Sequence, residues 1–279
     1  MKKIRLLSLL TLGLCCAALS GPAQQSQKQL DVAFAFSDGT GTRLLSADDP
    51  ANPQNLTNGI FPGGVIQNVK FLRRQQGAAD WNGRQTARDF DRSPGFLFEI
   101  ENGKAPRRQE TGLGESCLLV SKHFLQGRQQ LPVKPEPGLP VSSEVIRRIE
   151  KSKGKSAEWA KSIAKLGDGR DLLLVRFVPE VEKICLASLV LVTADSLSFD
   201  DHEAKFDKDA KAFRWRVDTD GIDPEDFHVL AAFEGEQGID IALIWHAFEG
   251  QSFFILRSQG SILRPIYRAS FCRSMPSGP

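Results

Sequence analysis

The sequence predicts a mainly β chain with a short helical segment, an α+β arrangement built on an antiparallel sandwich or barrel-like sheet. Three observations carry this. Apolar residues alternate in short runs, at Val32, Phe34 and Phe36 and again at Phe96, Phe98 and Ile100, the period of a half-buried strand. The C-terminal third reads as a meander of short apolar runs separated by glycine-containing turns, which favours antiparallel pairing. The one helical pattern is confined to residues 142–167.

Residues 1–20 have the order of an export signal: Lys2, Lys3 and Arg5, a short apolar run from Leu6 to Leu14, then small residues. Ala18-Leu19-Ser20 suits cleavage before Gly21, and Gly21-Pro22-Ala23 offers a second site before Gln24. Lipid attachment at Cys15 or Cys16 fits less well, because neither follows a small residue. The expected location is periplasmic or extracellular. Cleavage leaves 33 basic residues against 34 acidic ones, so the basic pI of the whole chain reflects the signal. A near-neutral chain argues against nucleic-acid binding. No later run approaches the ~20 apolar residues of a membrane helix.

Residues 21–29 form a Gln-rich tether, and the first β-rich region spans 30–130. Within it, a strand from Leu30 to Phe36 turns at Asp38-Gly39-Thr40-Gly41. Asp48 to Gly64 reads as a long loop, Val65–Arg73 as a strand, and Cys117–Phe124 closes the region. A Pro-rich connection, residues 131–141, leads into the helical segment. There Ser143 caps a helix carrying Val145, Ile146 and Ile149, Gly154 interrupts it, and Ser156 caps a second helix carrying Trp159, Ile163 and Leu166. The second β-rich region, 171–273, either stands alone or completes a sheet with the first. Its strands are Leu172–Val178, Ile184–Val192, Phe213–Val217, Phe227–Phe233, Ile239–Phe248, Ser252–Arg257 and Ile262–Phe271. Eighteen Phe against one Tyr favours packing over stacking platforms.

Asp38-Gly39-Thr40-Gly41-Thr42 after an apolar strand resembles the phosphate-handling loop of haloacid-dehalogenase-type phosphatases and P-type pumps, and Gly167-Asp168-Gly169-Arg170-Asp171 resembles the phosphatases' acidic magnesium loop. The match fails at the chemistry. The phosphatase nucleophile would fall on Phe36, which cannot attack phosphorus, and Gly39 replaces the lysine of the pumps. Both segments read as turns.

Asp218, Asp220, Asp223 and Asp226, with Glu225, form the candidate calcium site, since clustered carboxylates suit a hard cation. The EF-hand register fails, with Arg216 at the first ligand position and Phe227 at the last. The competing reading is a turn in which Asp223 caps and Pro224 opens a helical turn. Asp200-Asp201-His202-Glu203, interleaved with Lys205, Lys208 and Lys211, reads as a solvated element. The four histidines, His123, His202, His228 and His246, make no zinc-protease pattern. The weak catalytic candidates are His246, His228 and Asp240. His246 shares the second face of its strand with Asp240, Ile244 and Phe248, a face suited to a pocket or to packing. Cys117, Cys185 and Cys272 allow one disulfide or three reduced thiols. Residues 144–165 carry an excess of basic charge that suits peripheral contact with anionic lipid or polysaccharide, or simply the wet face of a helix.

The function expected is therefore a non-catalytic binding or structural role in the cell envelope or outside the cell, with a protein, a polysaccharide or a small apolar ligand as partner and no cofactor beyond that candidate calcium. The alternative is an exported hydrolase whose site is assembled from dispersed His and Asp residues.

Overall fold

A computed structural model describes residues 30–106, 114–179, 184–208, 211–215, 221–247 and 250–272. The expected signal and tether lie outside them, as do Asp218 and Asp220. The molecule is mostly β and contains a closed barrel and a second, nearly closed one.

The first barrel has six strands: β1 (Val32–Ser37), β2 (Arg43–Ser46), β3 (Leu56–Phe61), β4 (Val65–Gln75), β5 (Gly95–Ile100) and β6 (Ser116–Ser121), in the closed order β1-β2-β5-β4-β3-β6. β1 shows how alternation builds it. Ala33 and Ala35 join Leu44, Phe61, Phe98 and Leu119 in one core, while Phe34 and Phe36 join a second core on the other face. β3 lies inside the stretch expected to be a loop. Thr57-Asn58-Gly59 has low strand propensity, and pairing with β4 and β6 overrides it.

The second sheet follows a short helix, α1 (Lys122–Leu125), which Ser121 caps by accepting the Phe124 N–H at 3.1 Å. Its strands are β7 (Arg128–Leu131), β8 (Val133–Pro135), β9 (Ala157–Leu166), β10 (Asp171–Phe177), β11 (Ile184–Val192), β12 (Leu197–Asp207), β13 (Ala212–Arg214), β14 (Phe227–Gly235), β15 (Gly238–His246), β16 (Gly250–Gln259) and β17 (Ile262–Cys272). The order is β7-β14-β15-β16-β17-β12-β11-β10-β9-β8, with β13 on β12. The two ends of this sheet, β7 and β8, are consecutive pieces of one segment broken only at Pro132, which has no N–H to donate. That segment bends the sheet round on itself over a core that includes Leu166, Leu174, Leu189, Ile241, Leu243 and Trp245.

The predicted meander is present as β14 to β17. The predicted second helix is not. Ala157–Leu166 is β9, paired with β8 and β10. A bulge explains the misleading period: Leu172 pairs with Ala164 and Leu173 with Ser162, so the ladder skips Ile163 and the inward parity switches there. Trp159, Ile163 and Leu166 then meet one core with helix-like spacing. The helix that does form, α2 (Ser143–Lys153), is capped by Ser142 rather than Ser143 and ends at Gly154 in the left-handed region. Its Ile149 packs with Leu173, Val175, Phe177 and Val190 on the outside of the second barrel. The acidic Asp200–Glu203 stretch lies within β12, an element the sequence reading did not place; Asp201 is exposed and Glu203 also faces outward.

The two barrels share a seam. Val32, Phe34, Phe36, Leu118 and Val120 of the first pack against Leu230, Phe233, Ile244, Phe253, Ile255 and Phe271 of the second. Phenylalanine rings meet across the seam, with Phe34 and Phe253 ring centroids 4.7 Å apart and Phe124 edge-on to Phe233 at 5.7 Å. β15 is thus apolar on both faces, one turned into its own barrel and the other onto its neighbour.

Candidate functional site

The seam-facing residues of β15 run Asp240, Ala242, Ile244, His246. The middle is apolar and both ends are polar, so the seam carries a polar cluster at each end. Six residues along a strand cover about 20 Å, so His246 and Asp240 belong to different clusters. The candidate trio is not brought together, because strand geometry holds its acid far from its histidines.

At the first end, Asp240 lies in an otherwise apolar run and is 3% exposed. A buried carboxylate needs paired donors, and two arginines supply them. Arg257 stands directly opposite on β16 and grips it as a fork, Nε to Oδ1 at 2.6 Å and Nη2 to Oδ2 at 2.8 Å. Arg128, the first residue of β7, donates from Nε to Oδ2 at 3.1 Å. The rest of each guanidinium is also held. Arg257 Nη1 donates to Gln237 Oε1, and Arg128 Nη1 donates to the Phe124 carbonyl at 2.6 Å while its plane lies 4.4 Å over the Phe124 ring. Arg264 is opposite Arg257 on β17 and is exposed.

These groups line a cleft of about 720 Å³ whose wall also includes Leu30, Asp31, Phe124, Glu236 and Ile266. That volume suits a small-molecule site. The hydroxyl and imidazole in its wall do not form a nucleophile–base pair. Ser121 caps α1, and His123 Nδ1 lies 3.3 Å from Gln126 Oε1. Asp240, with guanidinium donors on both oxygens, is placed to hold cations rather than to accept a substrate proton. The cluster is a set of charged groups held by one another in the cleft wall.

At the other end His228 and His246 do meet, edge to face with centroids 4.6 Å apart. Gln251 Nε2 lies 2.9 Å from His246 Nδ1, and the Ser116 hydroxyl of the first barrel donates to Gln251 Oε1 at 3.3 Å. Gln251 stands between this serine and this histidine, so the chain ties the barrels together without placing hydroxyl against imidazole.

The remaining candidates make the following local contacts where they are described. Asp38 is 5% exposed and organises its turn, accepting from Thr40 Oγ1 at 2.9 Å, the Thr42 amide at 3.0 Å and Arg43 Nε at 2.9 Å. Asp223 precedes the 3₁₀ turn Pro224–Asp226, where its N–H donates to the Asp226 carboxylate at 3.2 Å and its carbonyl accepts the Asp226 N–H at 3.1 Å. In the acidic stretch, Asp200 pairs with His202 at 3.0 Å, while Asp201 takes Lys153 at 2.6 Å and the Ser188 hydroxyl at 2.6 Å. The basic residues of 144–165 divide between α2 and β9, with Lys155 in the link between them. Lys153 pairs with Asp201, Lys165 with Glu136, Lys161 lies over Trp159 and Arg148 donates to the Thr193 carbonyl. Cys117 and Cys185 are buried in different barrels and are not bridged to each other.

Sequence reasoning missed Arg128 and Arg257. A usable signal existed: an acid inside the run Ile239–Ile244 requires a buried cation. Placing the turn at Glu249-Gly250-Gln251, however, puts Asp240 opposite Gly260. The true register puts it opposite Arg257. In comparison with known proteins, the chain matches no family model, no curated sequence and no solved structure, so this geometry carries the functional reading alone.

Proposed function

We propose that the chain is an exported, non-catalytic binding protein that holds a small ligand in the cleft at one end of the inter-barrel seam. The observation that carries this is the Arg128–Asp240–Arg257 cluster in the wall of a 720 Å³ cleft, a polar set immobilised on three strands beside the apolar Leu30, Phe124 and Ile266. Each barrel has a packed interior core, so the ligand seat lies between the barrels rather than within one. Export rests on the pattern of residues 1–20.

The test is a thermal-shift screen of small molecules on the intact mature chain, repeated with Gln126→Trp. Gln126 is exposed in the cleft wall, so a tryptophan there fills the cleft without disturbing the core. Ligands that raise the melting temperature of the wild type should leave the variant unmoved, because only binding to the folded state stabilises it. Ligands that stabilise both proteins equally would place binding elsewhere. Ester turnover abolished by His246→Ala would favour the hydrolase alternative.

A further inference from the structure

The Arg128–Asp240–Arg257 cluster in the wall of this cleft holds one positive charge that its own pairing leaves uncompensated, and we infer that the ligand is a small organic anion with an apolar body. The inference rests on the reading of the cleft as the ligand seat. Two guanidiniums share one carboxylate in the cluster, with side-chain exposures of 18% for Arg128, 9% for Arg257 and 4% for Asp240. A net positive charge is therefore held largely out of water, which is costly unless a counter-charge arrives.

The donors that would meet an anion can be named. Arg257 has all three nitrogens engaged, by Asp240 and Gln237, so it is scaffolding. Arg128 has Nε and Nη1 engaged, and its Nη2 has no partner among the described residues. Arg264 has neither ion pair nor hydrogen bond among the described residues, although it sits directly across from Arg257, where like charges repel. Two further acids, Asp31 and Glu236, make the lining formally neutral as a whole, but neither is in ion-pair contact with these arginines, so the surplus is local to the cluster and Arg264. Planar guanidinium donors suit a carboxylate in particular. The apolar part of the ligand faces Leu30, Phe124 and Ile266. Leu30 and Ile266 also line an adjoining pocket of about 330 Å³, where Val32 and Leu56 meet the polar Asp31, Asp49 and Asn52, so the apolar contact is confined to the near end of that pocket.

The experiment is titration calorimetry of the intact mature chain with three probes of equal tail length, dodecanoate, dodecan-1-ol and dodecyltrimethylammonium, and with acetate. Dodecanoate is expected to bind at least about tenfold more tightly than the alcohol or the cation, the worth of one charge-assisted hydrogen bond. Acetate is expected to bind far more weakly, for want of the apolar contact. Arg264→Gln, at an exposed position where folding is not at stake, should remove most of the preference for dodecanoate. Arg128→Lys, which keeps the charge beside Asp240, should weaken dodecanoate with less effect on the alcohol. If all three amphiphiles bind alike and Arg264→Gln changes nothing, the anion inference is overturned while the cleft remains a binding site. If dodecanoate does not bind, the inference is overturned also, and the screen with Gln126→Trp decides the cleft on its own terms.

Discussion

Asp38 and Asp48 flank β2 and are affected oppositely by their surroundings. Burial pushes the Asp38 carboxyl up, but hydrogen bonds from the Arg43 side chain, the Thr40 hydroxyl and the amides of Arg43 and Thr42 outweigh it and hold the group below the usual range. Burial also pushes Asp48 up, and there the Phe34 N–H at 2.7 Å and the Tyr267 O–H at 2.8 Å do not compensate, so it stays above. The signs for stability follow. Asp38 stabilises the fold above its unfolded-state pKa, and that contribution fades as pH falls through its lower folded-state value. Asp48 stabilises the fold in its protonated form, and that contribution fades as pH rises from its unfolded-state value through its higher folded-state one. Asp38→Asn should therefore cost about 2 kcal/mol at pH 7 and less towards pH 3, the scale of hydrogen bonds to a charged group. Asp48→Asn should be better tolerated at pH 7 than at pH 4. Urea unfolding across this range checks both, and a pH-independent penalty at either position would contradict its assignment. The Asp38 turn was readable locally from its glycines and threonines. The contact of Asp48 with the single tyrosine, 219 residues away, was not.

Among the elements, the β14–β15 hairpin depends on one backbone position. Gly238 has φ +114°, and a Cβ there would collide with the Ser258 carbonyl oxygen. Gly260, in the β16–β17 turn, has φ +60° with open space around it. Gly238→Ala should thus cost clearly more than the ~1 kcal/mol expected of Gly260→Ala. Since Gly238 also lines the cleft, ligand binding should fall with it. Paired denaturation curves test the order, and equal penalties would show that the close approach is relieved by a small shift. The meander to which both turns belong was legible because its alternation is regular and its turns contain glycine. β9 was misread because its bulge at Ile163 imitates a helical period, and β3 because its Thr-Asn-Gly centre is stabilised by its neighbours alone.

For the whole molecule, the seam makes each barrel the other's cover. Phe34 and Phe36 of the first would face solvent without Phe253 and Phe271 of the second, an apolar surface that a separate domain would not leave bare. Phe253→Ala should cost about 3–5 kcal/mol, as for a buried phenylalanine. It should shift unfolding of both barrels together. Trp81 reports on the first barrel and Trp215 on the second, so single-tryptophan versions can follow each. Two separated transitions in the wild type would show that the seam is not needed for either barrel.

Local pattern alone carried the β-rich class, the alternation of β1 and β5, the C-terminal meander, the capped helix before Gly154 and the packing role of phenylalanine. These depend on residues a few positions apart, where side-chain period and turn chemistry act directly. Which strands close each barrel, that the second face of β15 meets another barrel rather than water, and that Asp240 meets Arg128 and Arg257 rather than His246 were decided by tertiary structure. Strand register sets those pairings. A turn misplaced by one or two residues moves every cross-strand partner, and no local propensity records where a barrel closes.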